Sequence, residues 1–466
     1  MLISASSASG LVSGAATSHG RIITRMLQLT AAQLEIWLTC QLDGPDASRA
    51  HNESVTLTLW GPLDEPALRQ ALEALAERHE VLRATCGTAN RALCILAESP
   101  AELAYEDVSA APAAERRAAQ VRHATQSSQH VFNLVTGPLW QPSLLKISDT
   151  KHLFTFTAHH IICDLWSLRV VLQDLGHLYS AHTLAAPAGL PPAPPFAHYV
   201  AAEAHFWATP AYRAAEDYWR AQFADGGPPL ALPTDTPRAS RRTYRSARLG
   251  QPLAPSLVAG LRATSRPAAP DNLTVTLLAV FEIALQRATG QTDLVVGFPH
   301  AGQPAAGTPA LVGQCVHVLP LRSRPLGHLP FRTYLAQRRA ELATALAHGQ
   351  ISYGSLLRHL TRQRLPGELP LVSVLFQANL EQAGGARFAN LSYNLHTPAR
   401  IAEKFELVLT CSGEGDNLTL ECAYNTYLFS PERIQQLLAD YALVARQVVA
   451  QPTIQLADLH PPAPVA

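Results

Sequence analysis

The sequence AHHIICDLWS, residues 158–167, places two adjacent histidines and an aspartate inside an otherwise apolar stretch. The histidines are His159 and His160, and Asp164 follows four residues after the second one. Titratable side chains seldom collect in a hydrophobic run unless a partner or a function holds them there. From these residues alone three interpretations are open: a metal site, a buried structural pair of histidines, and the proton-transfer centre of an enzyme.

The flanking residues predict a strand that runs into the histidines and a helix that follows them. In HLFTFTAHH, residues 152–160, the side chains alternate as in a strand, and after Asp164 leucines and valines recur at helical spacing. Because neighbouring strand residues point to opposite faces, His159 and His160 cannot both line one site. This weighs against a metal centre, which requires histidines two apart on a strand or four apart on a helix, with further ligands. We therefore predict an inward His159 and a His160 that faces an opening.

Length and composition indicate a globular protein with two lobes. The chain has 466 residues, 47% of them hydrophobic. Its formal net charge is zero, so its bulk charge gives no electrostatic attraction to nucleic acid or to a membrane surface. Of its 36 basic residues only Lys146, Lys151 and Lys404 are lysines, a bias typical of a GC-rich bacterial genome. The seven cysteines are scattered and predict reduced thiols in a cytoplasmic protein. No apolar run is long enough to span a bilayer.

Composition along the chain predicts five segments. Residues 1–26 are rich in Ser, Gly and Ala and are interpreted as a mobile leader or linker, and residues 27–183 as an N-terminal lobe that carries the histidine motif. Residues 184–196 contain five prolines and predict an extended connector. Residues 197–452 form the predicted C-terminal lobe and residues 453–466 a tail. Helical and strand patterns mix in both lobes, which predicts an α/β fold.

Six further segments accompany the histidine motif. They are TAAQLEIW (30–37), RHEVLRAT (78–85), FAHY (196–199), GQCVHVLPLR (313–322), PLVSVLFQAN (370–379) and YNTYLF (424–429). Together with HHIICDLWS (159–167), they resemble, in order, the motifs of the condensation domains of nonribosomal peptide synthetases, whose core motif is HHxxxDGxS. These domains belong to the chloramphenicol-acetyltransferase-like superfamily. The resemblance covers roughly residues 27–450.

The resemblance implies a fold and a reaction. The fold would be two chloramphenicol-acetyltransferase-like α/β lobes that form a V-shaped pseudo-dimer with a central tunnel. The donor would be an acyl thioester on the phosphopantetheine arm of an acyl- or peptidyl-carrier protein, with no cofactor or metal bound to the chain itself. A small-molecule or carrier-bound amine or alcohol would attack the thioester directly, giving an amide or an ester.

The resemblance also implies roles for the motif residues. His160 would act as a base or as a positioner of the nucleophile, His159 would support it, and Asp164 would hold the loop by pairing with an arginine. Trp166, Ser167 and Gly313 fall on supporting motif positions. Cys163 lies inside the motif and is expected to fill the core.

Three positions depart from the family pattern. Leu165 stands where the motif has glycine, and we expect it to narrow the channel and to influence which acceptor enters. His317 replaces an asparagine, and Gln303 replaces the arginine that would pair with Asp164. With that arginine missing, Arg83 is the predicted partner of Asp164.

A cluster of four arginines has two interpretations. Arg238, Arg241, Arg242 and Arg245 form either a solvated loop or a contact with an acidic carrier protein or the phosphate of its arm.

The protein is either a freestanding enzyme or a domain of a larger synthase. The competing interpretations are a non-catalytic, carrier-interacting member of the fold and an epimerisation domain.

Overall fold

The computed structural model describes residues 17–87, 91–99, 101–265, 272–358, 367, 369–380, 385–398 and 400–459. Most of the predicted leader, residues 1–16, and the end of the predicted tail, residues 460–466, lie outside the described residues. None of the described helices is long and apolar enough to cross a membrane.

The first half of the described chain alternates strands and helices. Its elements are, in order, β1 (Thr17–Ser18), β2 (Arg21–Gln28), α1 (Ala31–Asp43), α2 (Pro45–Arg49), β3 (Asn52–Trp60), α3 (Glu65–Arg78), β4 (Ala84–Cys86), β5 (Ala92–Leu96), β6 (Ala104–Asp107), α4 (Ala113–Gln129), β7 (Trp140–Ser148), β8 (Lys151–His159) and α5 (Leu165–Leu184).

The second half mixes helices and strands as well. Its elements are α6 (Phe196–Trp207), α7 (Pro210–Gln222), β9 (Ser246–Pro252), α8 (Pro255–Thr264), α9 (Asn272–Thr289), β10 (Leu294–Ala301), α10 (Gly302–Ala305), β11 (Val316–Ser323), α11 (Phe331–Ala347), α12 (Tyr353–Leu357), β12 (Val374–Asn379), β13 (Ser392–His396), β14 (Leu407–Glu414), β15 (Asn417–Asn425) and α13 (Pro431–Ala450).

Among the described residues, three sheets carry the architecture. One has the order β13-β3-β8-β7-β6, a second β1-β2-β5-β4, and the third, built from the second half, β11-β10-β12-β14-β15-β9. Two large hydrophobic cores form, one mainly from the first half and one from the second. The predicted α/β class is confirmed, and the two cores agree with a chain of two lobes.

Strand β8 is the middle strand of its five-stranded sheet, and both of its faces are covered. It lies between β3 and β7, and Phe154 and Phe156 enter the core. The opposite face carries Thr155, whose Oγ1 lies 2.7 Å from Oγ1 of Thr56 on β3. The alternation in the sequence therefore separates an apolar face from a polar face that is satisfied across the strand pair.

The helix that follows the motif begins at a strong cap. Asp164 is the N-cap of α5, and its side chain accepts a hydrogen bond from the backbone N–H of Ser167. Aspartate is among the best residues for this position. The strand, the four-residue turn and the cap thus fix where both histidines and the aspartate lie.

Strand β13 crosses from the second half of the chain to the first. It pairs antiparallel with β3, from Ser392 opposite Trp60 to His396 opposite Thr56. The chain then returns to the third sheet through residues 400–406, which we call the return segment. No sequence pattern predicted this crossing, because the crossing depends on pairing between residues more than 300 positions apart.

Two element boundaries differ from the sequence prediction. Order was expected from Leu27 onward, but β2 already begins at Arg21 and pairs with β5. The sequence pattern of residues 196–223 predicts one helical stretch, which the structure divides into α6 and α7. Thr209 caps α7, with Oγ1 accepting from the backbone N–H of Tyr212 at 3.3 Å, and Pro210 takes the first helical position. A proline there cannot continue the preceding helix.

Candidate active site

His160 lies just beyond the end of β8, with only 6% of its surface exposed. Its Nδ1 lies 3.1 Å from the carbonyl oxygen of Cys163, and its backbone N–H donates to the carbonyl of His51 at 2.7 Å. A proton on Nδ1 satisfies that carbonyl and leaves the lone pair on Nε2. Burial, together with the charges of Lys404 and Arg400, holds the pKa of His160 well below its usual range. The imidazole is therefore neutral near pH 7 and can accept a proton.

His159 is completely buried on the other side of the strand end. Its Nδ1 accepts from the backbone N–H of Ile161 at 3.2 Å, and its Nε2 lies 3.8 Å from Sγ of Cys40. Burial lowers its pKa to about 3. His159 thus has the environment of a neutral supporting residue.

Asp164 is held by a network of neutral donors. Besides the Ser167 N–H at 2.8 Å, it accepts the backbone N–H of Cys315 at 2.9 Å and the side-chain amide of Gln303 at 3.0 Å and 2.9 Å. The Ser167 hydroxyl lies 2.7 Å from Oδ1 of Asp164 and accepts the N–H of Gly313 at 3.0 Å. Burial raises the pKa of the Asp164 carboxyl, and these hydrogen bonds oppose that rise. The network ties the start of α5 to the segment between β10 and β11.

The expected pairing of Arg83 with Asp164 is wrong. Arg83 donates instead to the backbone carbonyls of Ala76, Glu77 and Leu96, at 2.6 Å, 2.8 Å and 3.1 Å. It therefore fastens the end of α3 to β5. Gln303, which replaces the arginine of the family pattern, is the side chain of the second half that donates to Asp164.

The sequence as a whole matches one protein family. The family model described as "Condensation domain" matches residues 23–463. The chain belongs to the condensation domain family. It is 31% identical over 441 residues to phosphinothricin tripeptide synthetase PhsC of Streptomyces viridochromogenes, covering 92% of this chain and 40% of that protein. It is 28% identical over 433 residues to tyrocidine synthase 3 of Brevibacillus parabrevis, covering 92% of this chain and 6% of that protein. The domain spans less than half the length of these curated relatives.

Solved structures have the same fold. The starter condensation domain of rhizomide synthetase RzmA is similar with a TM-score of 0.81 and 21% identity, over 93% of this chain and 97% of that one. The X-domain from teicoplanin biosynthesis, solved with OxyB, is similar with a TM-score of 0.78 and 23% identity, over 96% of this chain and 99% of that one. The mixed α/β fold is therefore that of condensation domains.

Leu165, which replaces the glycine of the condensation motif, is the first residue of α5 and is 48% exposed. A helical backbone accepts leucine, so this position needs no left-handed conformation. The next residue, Trp166, donates from Nε1 to the carbonyl of Pro309 at 2.8 Å, and its ring lies 4.4 Å from the guanidinium carbon of Arg169. Leu165 thus projects beside a well-anchored helix start.

His317 takes the place of the condensation domain's asparagine on β11. It is buried, and its Nε2 lies 3.2 Å from the hydroxyl of Tyr199, which donates to the carbonyl of Cys315 at 3.3 Å. Burial lowers its pKa to about 4. His317 therefore joins α6 to β11 as a neutral group.

The arginine-rich loop packs against the return segment. Arg238 makes two hydrogen bonds to the carboxylate of Glu406, at 2.8 Å and 2.9 Å, and Arg242 donates to the backbone carbonyl of Lys404. Arg241 and Arg245 are exposed. Two of the four arginines that were predicted to meet solvent or a carrier protein therefore have partners within the chain, and a carrier contact remains a prediction.

A charged group that belongs to none of the sequence motifs lies beside His160. Glu53 on β3 lies with Oε1 3.5 Å from Nδ1 of His160, and it forms an ion pair with Arg400 of the return segment. One signal was available. Lys404, in the same segment, is one of only three lysines in an arginine-rich chain.

Among the described residues no group of three metal-binding side chains occurs.

Proposed function

We propose that this condensation domain joins an acyl group, delivered as a thioester on the phosphopantetheine arm of a carrier protein, to an amine or a hydroxyl group. The acceptor attacks the thioester carbonyl, the carbon–sulfur bond breaks, and the acceptor's proton ends on the released thiol. The products are an amide or an ester and a free phosphopantetheine arm. Among the relatives, a tripeptide synthetase supports this proposal most directly.

One observation carries the proposal: the setting of His160. Its Nδ1 is engaged by the Cys163 carbonyl, and its pKa is lowered, so Nε2 presents a lone pair at neutral pH. Such a nitrogen can accept the acceptor's proton as attack proceeds, and it can pass that proton to the sulfur. Direct attack needs no acyl-enzyme. Cys163 suits a structural role, because it is fully buried and burial raises the pKa of its thiol well above the usual value.

A reconstitution tests the proposal. An acyl-loaded carrier protein is incubated with a panel of amines and alcohols and with either the wild type or His160→Ala. General acid–base catalysis contributes about a hundredfold or more, so the variant should lose at least that factor in product formation. Equal yields from the two proteins with every acceptor would count against the enzyme. The product from the panel also decides between amide and ester.

A non-catalytic interaction domain is the second candidate. It is favoured by one comparison, because the similar X-domain was solved in complex with another protein, OxyB. A domain of that kind would bind carrier or partner proteins without acyl transfer. In the same reconstitution it would give no product, while acyl-carrier binding measured by calorimetry would be the same for wild type and His160→Ala.

A further inference from the structure

Glu53 lies beside His160 because β3 and β8 are paired. Glu53 is opposite Ala158 in the strand register, two residues before His160. Its Oε1 lies 3.5 Å from Nδ1 of His160, and the side chains of Glu53 and His160 are 14% and 7% exposed. The same nitrogen faces the Cys163 carbonyl at 3.1 Å. A carboxylate and a carbonyl therefore lie on the side of the imidazole that faces away from Nε2.

The carboxylate of Glu53 is shared with an arginine from the other half of the chain. Its Oε2 accepts from the guanidinium of Arg400, which also lies 3.6 Å from Glu403. An ion pair of this kind reduces the negative charge that Glu53 exerts on its other neighbours. These distances thus describe a series of contacts from the neutral imidazole of His160, through the carboxylate of Glu53, to the guanidinium of Arg400.

The return segment that carries Arg400 is fixed at several points. The backbone N–H of Glu403 donates to the carbonyl of Tyr244 at 2.8 Å, and the carbonyl of Ile401 accepts the N–H of Ser246 at 2.8 Å. Glu406 is clamped by Arg238. The guanidinium of Arg400 is therefore held at a defined position beside the first half of the chain.

We propose that Glu53 is a positioning residue for His160, and that Arg400 controls how much of its negative charge the imidazole experiences. Glu53 and the Cys163 carbonyl together hold the proton on Nδ1. When Nε2 accepts the acceptor's proton, the Glu53 carboxylate stabilises the imidazolium until the proton passes to the thiolate released from the carrier. This role rests on the proposed function, in which His160 takes that proton.

Other titratable and charged groups also face His160, and their combined effects set its pKa. They come from its own strand, from the turn before β3 and from the return segment: His159, His51, Arg400 and Lys404. The two cations lower the pKa of His160, whereas an unshielded carboxylate at the position of Glu53 would be expected to raise it. Removing Arg400 should therefore raise the pKa through Glu53 as well as directly, and only the first effect should vanish when Glu53 is also replaced.

Nuclear magnetic resonance tests this without turnover. Because the pKa of His160 lies well below its usual value, protein with 15N-labelled histidine is titrated from about pH 8 down to the lowest pH at which it stays folded, and the His160 resonances are assigned by their loss in His160→Ala. The variants are Arg400→Gln, Glu53→Gln and the double variant. We expect Arg400→Gln to raise the pKa of His160 by about one unit or more in the wild type, and by clearly less in the Glu53→Gln background, where only the direct effect of the lost cation remains.

Kinetics provides the second readout. In the acyl-carrier assay, Glu53→Gln should lower kcat by about tenfold with little change in KM, because a stabilised imidazolium matters in the transition state. Glu53→Asp, which keeps the charge, should recover part of the rate. Arg433→Gln, which breaks an ion pair with Asp235 elsewhere on the surface, is the control and should change neither kcat nor the pKa.

The outcomes separate the two proposals. If wild type and His160→Ala are equally inactive, the proposed function fails, while the titration still decides whether Glu53 and Arg400 tune His160. If the wild type is active but Arg400→Gln leaves the pKa unchanged in a folded protein, or raises it by as much in the Glu53→Gln background as in the wild type, the role of Glu53 is overturned. Circular dichroism of each variant confirms that it is folded.

Discussion

The side-chain amide of Gln303 donates to both carboxylate oxygens of Asp164, at 3.0 Å and 2.9 Å. The contact joins α10 of the second half to the first turn of α5, and both side chains are almost fully buried. A neutral donor thus stands where the condensation motif suggested a cation. Because no cationic side chain among the described residues pairs with the buried carboxylate, each hydrogen bond to it has a large effect on stability.

Replacing Gln303 should destabilise the fold far more than replacing a similar surface pair. Gln303→Ala leaves Asp164 short of a donor and creates a cavity, so we expect a loss of about 2–3 kcal/mol in the free energy of unfolding. Gln436 makes a matched contact on the exposed face of α13, with Nε2 3.1 Å from Oδ1 of Asp440. Gln436→Ala should cost only a few tenths of a kcal/mol. Urea denaturation measures both, and equal losses would contradict this account of the Asp164 network.

The pH dependence of the reaction should follow the lowered pKa of His160. In the proposed reaction the neutral imidazole is the active form, and burial with the neighbouring cations holds its pKa well below the usual 6.5. Activity should therefore stay level as pH falls from about 8 to about 6.5 and decline only below that, as His160 becomes protonated. The measurement is kcat/KM with an acceptor whose own group does not titrate in this range. An acid limb centred at or above the usual histidine pKa would contradict it.

Leu165 should restrict the size of the acceptor. Leu165→Gly shortens a half-exposed side chain at the start of α5, and we expect the ratio of kcat/KM for a bulky acceptor to that for a small one to rise about tenfold. Leu184→Gly is the control, because Leu184 is an exposed leucine at the other end of the same helix. Both variants lose some helix stability, of the order of 1 kcal/mol, but only the first should change selectivity. An unchanged ratio would remove Leu165 as a selectivity residue.

The cysteines should be unreactive in the folded protein. All seven are unpaired and buried, and burial raises the pKa of each thiol, to about 12 for Cys40 and Cys86. The thiolate is the reactive form, so iodoacetamide at about pH 7 should label none of them and should leave activity intact. Unfolding in urea should then expose all seven to labelling, as counted by mass spectrometry. Rapid loss of activity through labelling of Cys163 would contradict a purely structural role for that thiol.

Local patterns predicted the strand and the helix that flank the histidine motif, and so the position of that motif. The alternation in residues 152–160 gave β8, and the leucine spacing after Asp164 gave α5, because both signals depend on neighbours in the sequence. The partner of Asp164 was missed for the opposite reason. Gln303 lies 139 positions away, and only the folded chain brings its amide to the carboxylate.

The charges around His160 were also beyond local analysis. Glu53 reaches the histidine through strand pairing, and Arg400 reaches Glu53 only because β13 crosses to the first sheet and the chain then returns. Neither residue belongs to a motif that the sequence displays. Lys404 carried the one hint, as a rare lysine, but composition alone does not say what such a residue approaches.

Replacing Glu203 should stabilise the protein, and more so as pH rises. Glu203 on α6 accepts from the backbone N–H of Ala31 at the start of α1, at 3.3 Å, and burial raises its pKa to about 7. The folded carboxyl therefore keeps its proton over a range, from about 4.5 to about 7, in which the unfolded one has lost it. Since the native state binds more protons there, its stability falls as pH rises through that range, and the penalty is complete above about pH 7. Glu203→Gln keeps the shape and an acceptor oxygen but has no proton to lose.

The test is the difference in unfolding free energy between Glu203→Gln and the wild type, measured with urea at about pH 5 and about pH 8. Other titrating groups contribute equally to both proteins and cancel. We expect the difference to grow by about 1–3 kcal/mol toward the higher pH, reduced from the full value because the side chain is partly exposed. Glu115→Gln, at an exposed site on α4, should show no such growth. Parallel pH profiles for Glu203→Gln and wild type would mean that Glu203 ionises in the folded protein as freely as in the unfolded chain, and that burial between α1 and α6 does not govern it.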